Sequence, residues 1–95
     1  MSLPEHININ FHTHENNHYL EVDSECIRSL NMNVSQFSFV SPDHQKYYLE
    51  SETDGENFIL LLSDHGISFK LIEIAHDSFA YFYAYQRVKP SLQHH

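Results

Sequence analysis

Apolar and polar residues alternate with a period of two along most of the chain, the spacing that puts successive side chains on opposite faces of a β-strand. His6-Ile7-Asn8-Ile9-Asn10-Phe11 is the first such stretch, and His18–Val22 can return against it after a turn at Glu15-Asn16-Asn17. Asp23 or Ser24 then caps a short helix that carries Cys26, Ile27 and Leu30 and ends near Asn31. A rival reading makes 17–30 one longer helix, because Tyr19, Val22, Cys26 and Leu30 recur at helical spacing.

From Val34 onward the pattern predicts strands. Val34–Ser41 sets Phe37 and Phe39 on one face and Gln36 and Ser38 on the other, and Ser41-Pro42-Asp43-His44 supplies turn chemistry. Lys46–Glu52 follows, with Tyr47 and Leu49 opposite Tyr48, Glu50 and Glu52. Asp54-Gly55 is the strongest hairpin signal in the chain. Phe58–Ser63 then reads as a third strand closed by Asp64-His65-Gly66, Ile67–His76 as a fourth turning at Asp77-Ser78, and Phe79–Val88 as a fifth. Connections this short favour hairpins over the long crossover that parallel strands need. The expected fold class is α+β, mostly β: an antiparallel meander of about five strands over 34–88, preceded by a hairpin and one short helix.

The last three of these strands have apolar residues on both sides, with Phe58, Leu60 and Leu62 against Ile59 and Leu61, and Tyr81, Tyr83 and Tyr85 against Phe82 and Ala84. Burying one large side chain contributes roughly 1.5–3 kcal/mol, so a face of this kind needs cover. The sheet is expected to curl into a barrel or sandwich, or to pack on a second copy as a two-fold dimer. Tyr81, Tyr83 and Tyr85 are the candidates for that oligomer interface or for a ligand face.

Composition narrows the class. A chain of 95 residues, 41% hydrophobic and 14% aromatic, has room for one domain and one core, ordered over about 5–88. The lone Cys26 cannot form an internal disulfide, and no basic-then-apolar leader or spanning segment is present, the longest apolar run being Phe58–Leu62. A cytoplasmic protein without a membrane partner is the expectation. Five scattered basic residues against 13 acidic ones, a formal charge of −8, argue against nucleic-acid binding. Nine histidines make that charge depend on pH; protonating all of them would move it from −8 to +1. His94 and His95 have the form of a purification-tag remnant and are left out of the fold reading.

Three groups carry candidate chemistry. His12 and His14, two apart on a strand, share a side and could hold zinc or another divalent transition metal with His18 and with Glu15 or Glu21. Asp43-His44, Asp64-His65 and His76-Asp77 pair a carboxylate with an imidazole, although each falls at an expected turn and no nucleophile is fixed beside them. Glu50, Glu52, Asp54 and Glu56 form the densest acidic group and suit docking to a basic protein partner. The sequence therefore reads first as a small acidic, non-catalytic protein-binding module of the inhibitor, immunity or adaptor kind, needing no cofactor. A histidine-based metal-binding protein or small metal-dependent enzyme is the alternative, and a small-ligand sheet protein is the third reading.

Overall fold

A computed structural model describes residues 4–78, 80, 82 and 85–88. Among them the chain forms one mixed six-stranded sheet with two helices, and the sheet does not close into a barrel. The expected N-terminal hairpin is present as β1 (His6–His14) and β2 (Asn17–Asp23), joined by a tight turn in which Glu15 takes φ 54°. The short helix follows as α1 (Ser24–Ser29), and Asn31, at φ 57°, ends that segment in the left-handed region that asparagine tolerates. This excludes the longer helix over 17–30.

Val34–Ser41 is not one strand. Val34–Gln36 makes a single tight helical turn whose start is held by the Asn33 side chain accepting from the Ser35 amide at 3.0 Å. Only Phe39–Val40 of this stretch pairs as a strand, β3. Phe37 is consequently buried beside Tyr47 in the main core, while Phe39 packs on Tyr19 across the sheet. The expectation of a shared face fails because the chain bends at Ser38, between them.

The largest correction concerns 54–64. After β4 (Lys46–Glu50), the segment Asp54–Asp64 is the helix α2, not a hairpin turn and a strand. Phe58 and Leu62, four apart, lie fully buried on one side of it, Ile59 and Leu61 pack at the margins, and Leu60 is 63% exposed. Asp54 and Glu56 stand in its first turn, where negative charge complements the helix dipole. Gly55 admits a close approach, because a Cβ there would meet Leu20 Cδ1 at 3.0 Å and the Glu50 carbonyl at 3.2 Å. Gly66, at φ +69°, stops the helix in the left-handed conformation glycine adopts freely.

With a helix available as crossover, β5 (Ser68–Ala75) pairs parallel to β1, from His6↔Ser68 to Thr13↔Ala75. The sheet order is β5-β1-β2-β4-β3-β6, with β6 reduced to Gln86–Arg87. The antiparallel meander is thus replaced by a mixed sheet. Both helices cover one face, where Ile9, Leu20, Val22 and Leu49 of the strands meet Ile27, Phe58 and Leu62. The second face carries Asn8, Asn10, His12 and His14 from β1, Tyr19 and Glu21 from β2, Tyr48 from β4 and Phe39 from β3.

Phe79–Val88 is likewise not a strand along its length. Ala80 and Phe82 lie in tight turns, and Phe82, 4% exposed, sits on the second face against Tyr19, Phe39, Tyr48 and Tyr85. That face is therefore covered in part by the chain's own C-terminal segment. No helix among the described residues is long and apolar enough to cross a membrane.

Candidate functional site

The β1–β2 ladder begins at the turn with His14↔Asn17 and ends at Phe11↔Leu20, although β1 extends back to His6 and β2 runs on to Asp23. Beyond that point β1 stays with β5 and β2 stays with β4 as far as Asp23↔Lys46. The sheet divides between its two N-terminal strands. A cavity of about 330 Å³ occupies the division and is lined by residues from both faces of β1: Ile7 and Ile9 on the helix side, Asn8 and Asn10 on the other. A single space touching both faces has to pass between the strands. Val22, Cys26 and Phe58 complete its apolar floor, and Glu21, Asp23 and Lys46 join the asparagines at its polar end, with Ile72 of β5 beside them.

Glu21 links this cleft to a buried polar chain. Its side chain is 13% exposed, and its Oε1 accepts from His12 Nε2 at 2.8 Å and from the Tyr48 hydroxyl at 3.4 Å. Asn10 Nδ2 donates to Oε2 at 3.1 Å, and the Lys46 ammonium, which donates to Asp23, stands 3.9 Å from the same oxygen. Burial alone would raise the Glu21 pKa. Hydrogen bonds from His12 and Asn10, with the charges of His12 and Lys46, outweigh it and hold the carboxyl below its ordinary range.

Because a carboxylate only accepts, His12 Nε2 carries the proton in that bond. His12 Nδ1 meets His76 Nε2 at 2.9 Å, so in the neutral pair His76 donates and His12 accepts. His14 Nδ1 in turn donates to the His76 carbonyl at 2.9 Å. Burial, then the charges of His12 and His14, push the His76 pKa below its usual value. The result is a hydrogen-bonded carboxylate–imidazole–imidazole chain that ends at the wall of the cavity.

The residues singled out by sequence distribute unevenly. His12 and His14 do share a face, as their spacing predicts, but His18 lies opposite Thr13 on the helix side, against the Phe11 ring. Both ring nitrogens of His12 are engaged, by Glu21 and His76, so a metal there would have to displace one of them. Among the described residues no group of three or more His, Cys, Asp or Glu is disposed to hold a metal ion. Asp43 is spent on its turn, accepting from Ser41 Oγ at 2.6 Å and the Gln45 amide at 3.0 Å. His65 Nδ1 donates to the Leu61 carbonyl at the end of α2. The segments 41–45 and 63–66 fall at one end of the sheet, with β1 and β2 between β4 and β5, roughly 14 Å at strand spacings near 4.8 Å.

Glu50, Glu52 and Glu56 are exposed around the β4–α2 junction, with Asp54 half-buried there. Glu50 and Glu52 border a small hollow of about 80 Å³ together with Asn16–Tyr19. Tyr85 packs on Tyr48 and Phe82, whereas Tyr81 and Tyr83 lie outside the described residues. Sequence reasoning did not single out Asn8, Asn10 or Lys46, and it set His76 beside Asp77 rather than against His12. The signal for the first two was present in the unbroken polar face His6, Asn8, Asn10, His12, His14 of β1. No family model matches the chain, and no curated protein or solved structure matches it either.

Proposed function

We propose that the protein binds a small organic molecule in the cleft between β1 and β2. The observation that carries this reading is the division of the sheet around a cavity of about 330 Å³ with an apolar floor and a polar end. Its size falls at the lower end of pockets that hold small molecules, and a few convergent polar groups over an apolar lining are their usual construction. Glu21 supplies an anchor whose orientation is already set by His12, Asn10 and Tyr48.

Cys26 is a built-in reporter, since its thiol borders the cavity and is half-buried. Burial, then the Asp23 charge, raise its pKa, so alkylation by N-ethylmaleimide at neutral pH is expected to be slow. A screen of small amphiphilic fragments by amide NMR should find compounds that shift Asn8–Asn10 and Glu21–Asp23 and slow Cys26 alkylation further. A screen with no such compound would remove the reading.

A second reading rests on the hollow bordered by Glu50 and Glu52 beside the β1–β2 turn, with Asp54 and Glu56 on the adjoining helix turn. These four acidic groups suit a basic protein partner as docking charges that raise association rate and specificity. Charge reversal at Glu50 and Glu52 should weaken salt-sensitive capture of such a partner, and unchanged capture would remove the electrostatic argument.

A further inference from the structure

Glu21 and Asp23, two carboxylates with the Lys46 ammonium between them, leave the polar end of the cleft with a net negative charge. Lys46, the one cation among the described lining residues, donates to Asp23 and approaches Glu21. One N–H of the Asn10 amide donates to Glu21, and its carbonyl oxygen takes no hydrogen bond among the described residues. Glu21 Oε2, Asn10 Oδ1 and the remaining capacity of the Asp23 carboxylate are all acceptors. Donors remain as well, on the Asn8 and Asn10 amides and the Lys46 ammonium, so the preference for a cation rests on the two carboxylates outnumbering the one ammonium. A ligand group that only accepts would meet two carboxylates, whereas one that only donates finds partners on β1 and β2 at once.

Resting on the cleft reading above, we infer that the ligand is a small organic cation, an ammonium or guanidinium group on a short apolar tail. The head lies between Glu21 Oε2 and Asn10 Oδ1, and the tail descends onto Ile7, Ile9, Val22 and Phe58. Glu21 is suited to this because its charge is desolvated, with only 13% of the side chain exposed, yet held ionised by neighbours already in place. A charge-assisted bond to such an oxygen is shorter and stronger than a neutral one. The formal charge of −8 on the whole chain also concentrates cations near the surface and discourages anions.

The test uses three probes of one shape: 3-methylbutylamine, 3-methylbutanol and 3-methylbutanoate, each titrated into the full chain near pH 7.5 and followed by amide NMR. At that pH the three are cation, neutral molecule and anion. The amine should bind at least about 10-fold more tightly than the alcohol, as one added charge-assisted bond implies, and the acid should not saturate. Glu21→Gln should weaken the amine more than the alcohol and so cut the amine's preference. Because Glu21→Gln also disturbs His12, Asn10→Ala and Asp23→Asn serve as second variants, and each should weaken the amine selectively. An alcohol that binds as well as the amine overturns the cationic class and leaves the cleft standing. Failure of all three probes to shift any cleft amide at millimolar concentration overturns the cleft reading and this inference with it.

Discussion

Glu21 is the residue on which both stability and the site turn. Its folded pKa lies below the ordinary 4.5, so its stabilising contribution is present above that value and lost as pH falls through the folded one. His76 is depressed from 6.5, which means the folded state resists taking its proton; stability is full above 6.5 and lost as pH falls through the folded value. Urea denaturation across a pH series should therefore show stability falling first below 6.5 and again below 4.5. His76→Gln should flatten the first decline and Glu21→Gln the second. Unchanged profiles in both variants would contradict the hydrogen-bonded chain.

Half of this chain was visible beforehand. His12 follows from the two-residue spacing with His14, and Glu21 stands on the returning strand, so both fall within the metal candidates. His76 joins them from 64 positions away through a parallel pairing that no local pattern encodes.

At the scale of elements, α2 decides the topology, and its tightest contact is Gly55 against Leu20 and the Glu50 carbonyl. Gly55→Ala improves helix propensity by about 1 kcal/mol but forces a Cβ into that contact, and overpacking costs typically about 1–3 kcal/mol. Net destabilisation is expected by urea denaturation; a stabilised variant would show that the helix start moves freely against β2 and β4.

The strand expected at 58–63 became this helix for a definable reason. Phe58-Ile59-Leu60-Leu61-Leu62 is apolar at every position, and an unbroken run fits either period. What settles it is burial of Phe58 and Leu62 on one side with Leu60 left 63% exposed. The first hairpin and α1 were legible because His6–Phe11 alternates and Asp23 and Asn31 mark the helix ends. Once 54–64 is helical, it supplies the crossover that a parallel β5 requires.

For the whole molecule, the argument from two bare sheet faces to a second copy narrows to β5, where Leu71 and Ile72 stay exposed on opposite faces. One of the supposed faces belongs to α2, and Phe82 covers the aromatic part of the other with Tyr19, Phe39 and Tyr48. Phe82→Ala should cost about 3–5 kcal/mol by thermal or urea denaturation, the usual range for a buried phenylalanine. That is a large share of a typical total of about 5–15 kcal/mol. A loss well under 1 kcal/mol would mean that the C-terminal segment does not hold the second face in solution.

The central claim is that the sheet opens between β1 and β2 to receive a small molecule. Its most direct test is a methyl-resolved NMR titration of the full chain with 3-methylbutylamine. Ile7, Ile9, Val22 and Ile72, which line the cleft, should shift together and saturate, while Ile27 and Ile67, buried outside its lining, should stay in place. No movement of the methyl groups of the four cleft residues, or equal movement of all six residues, would contradict the account.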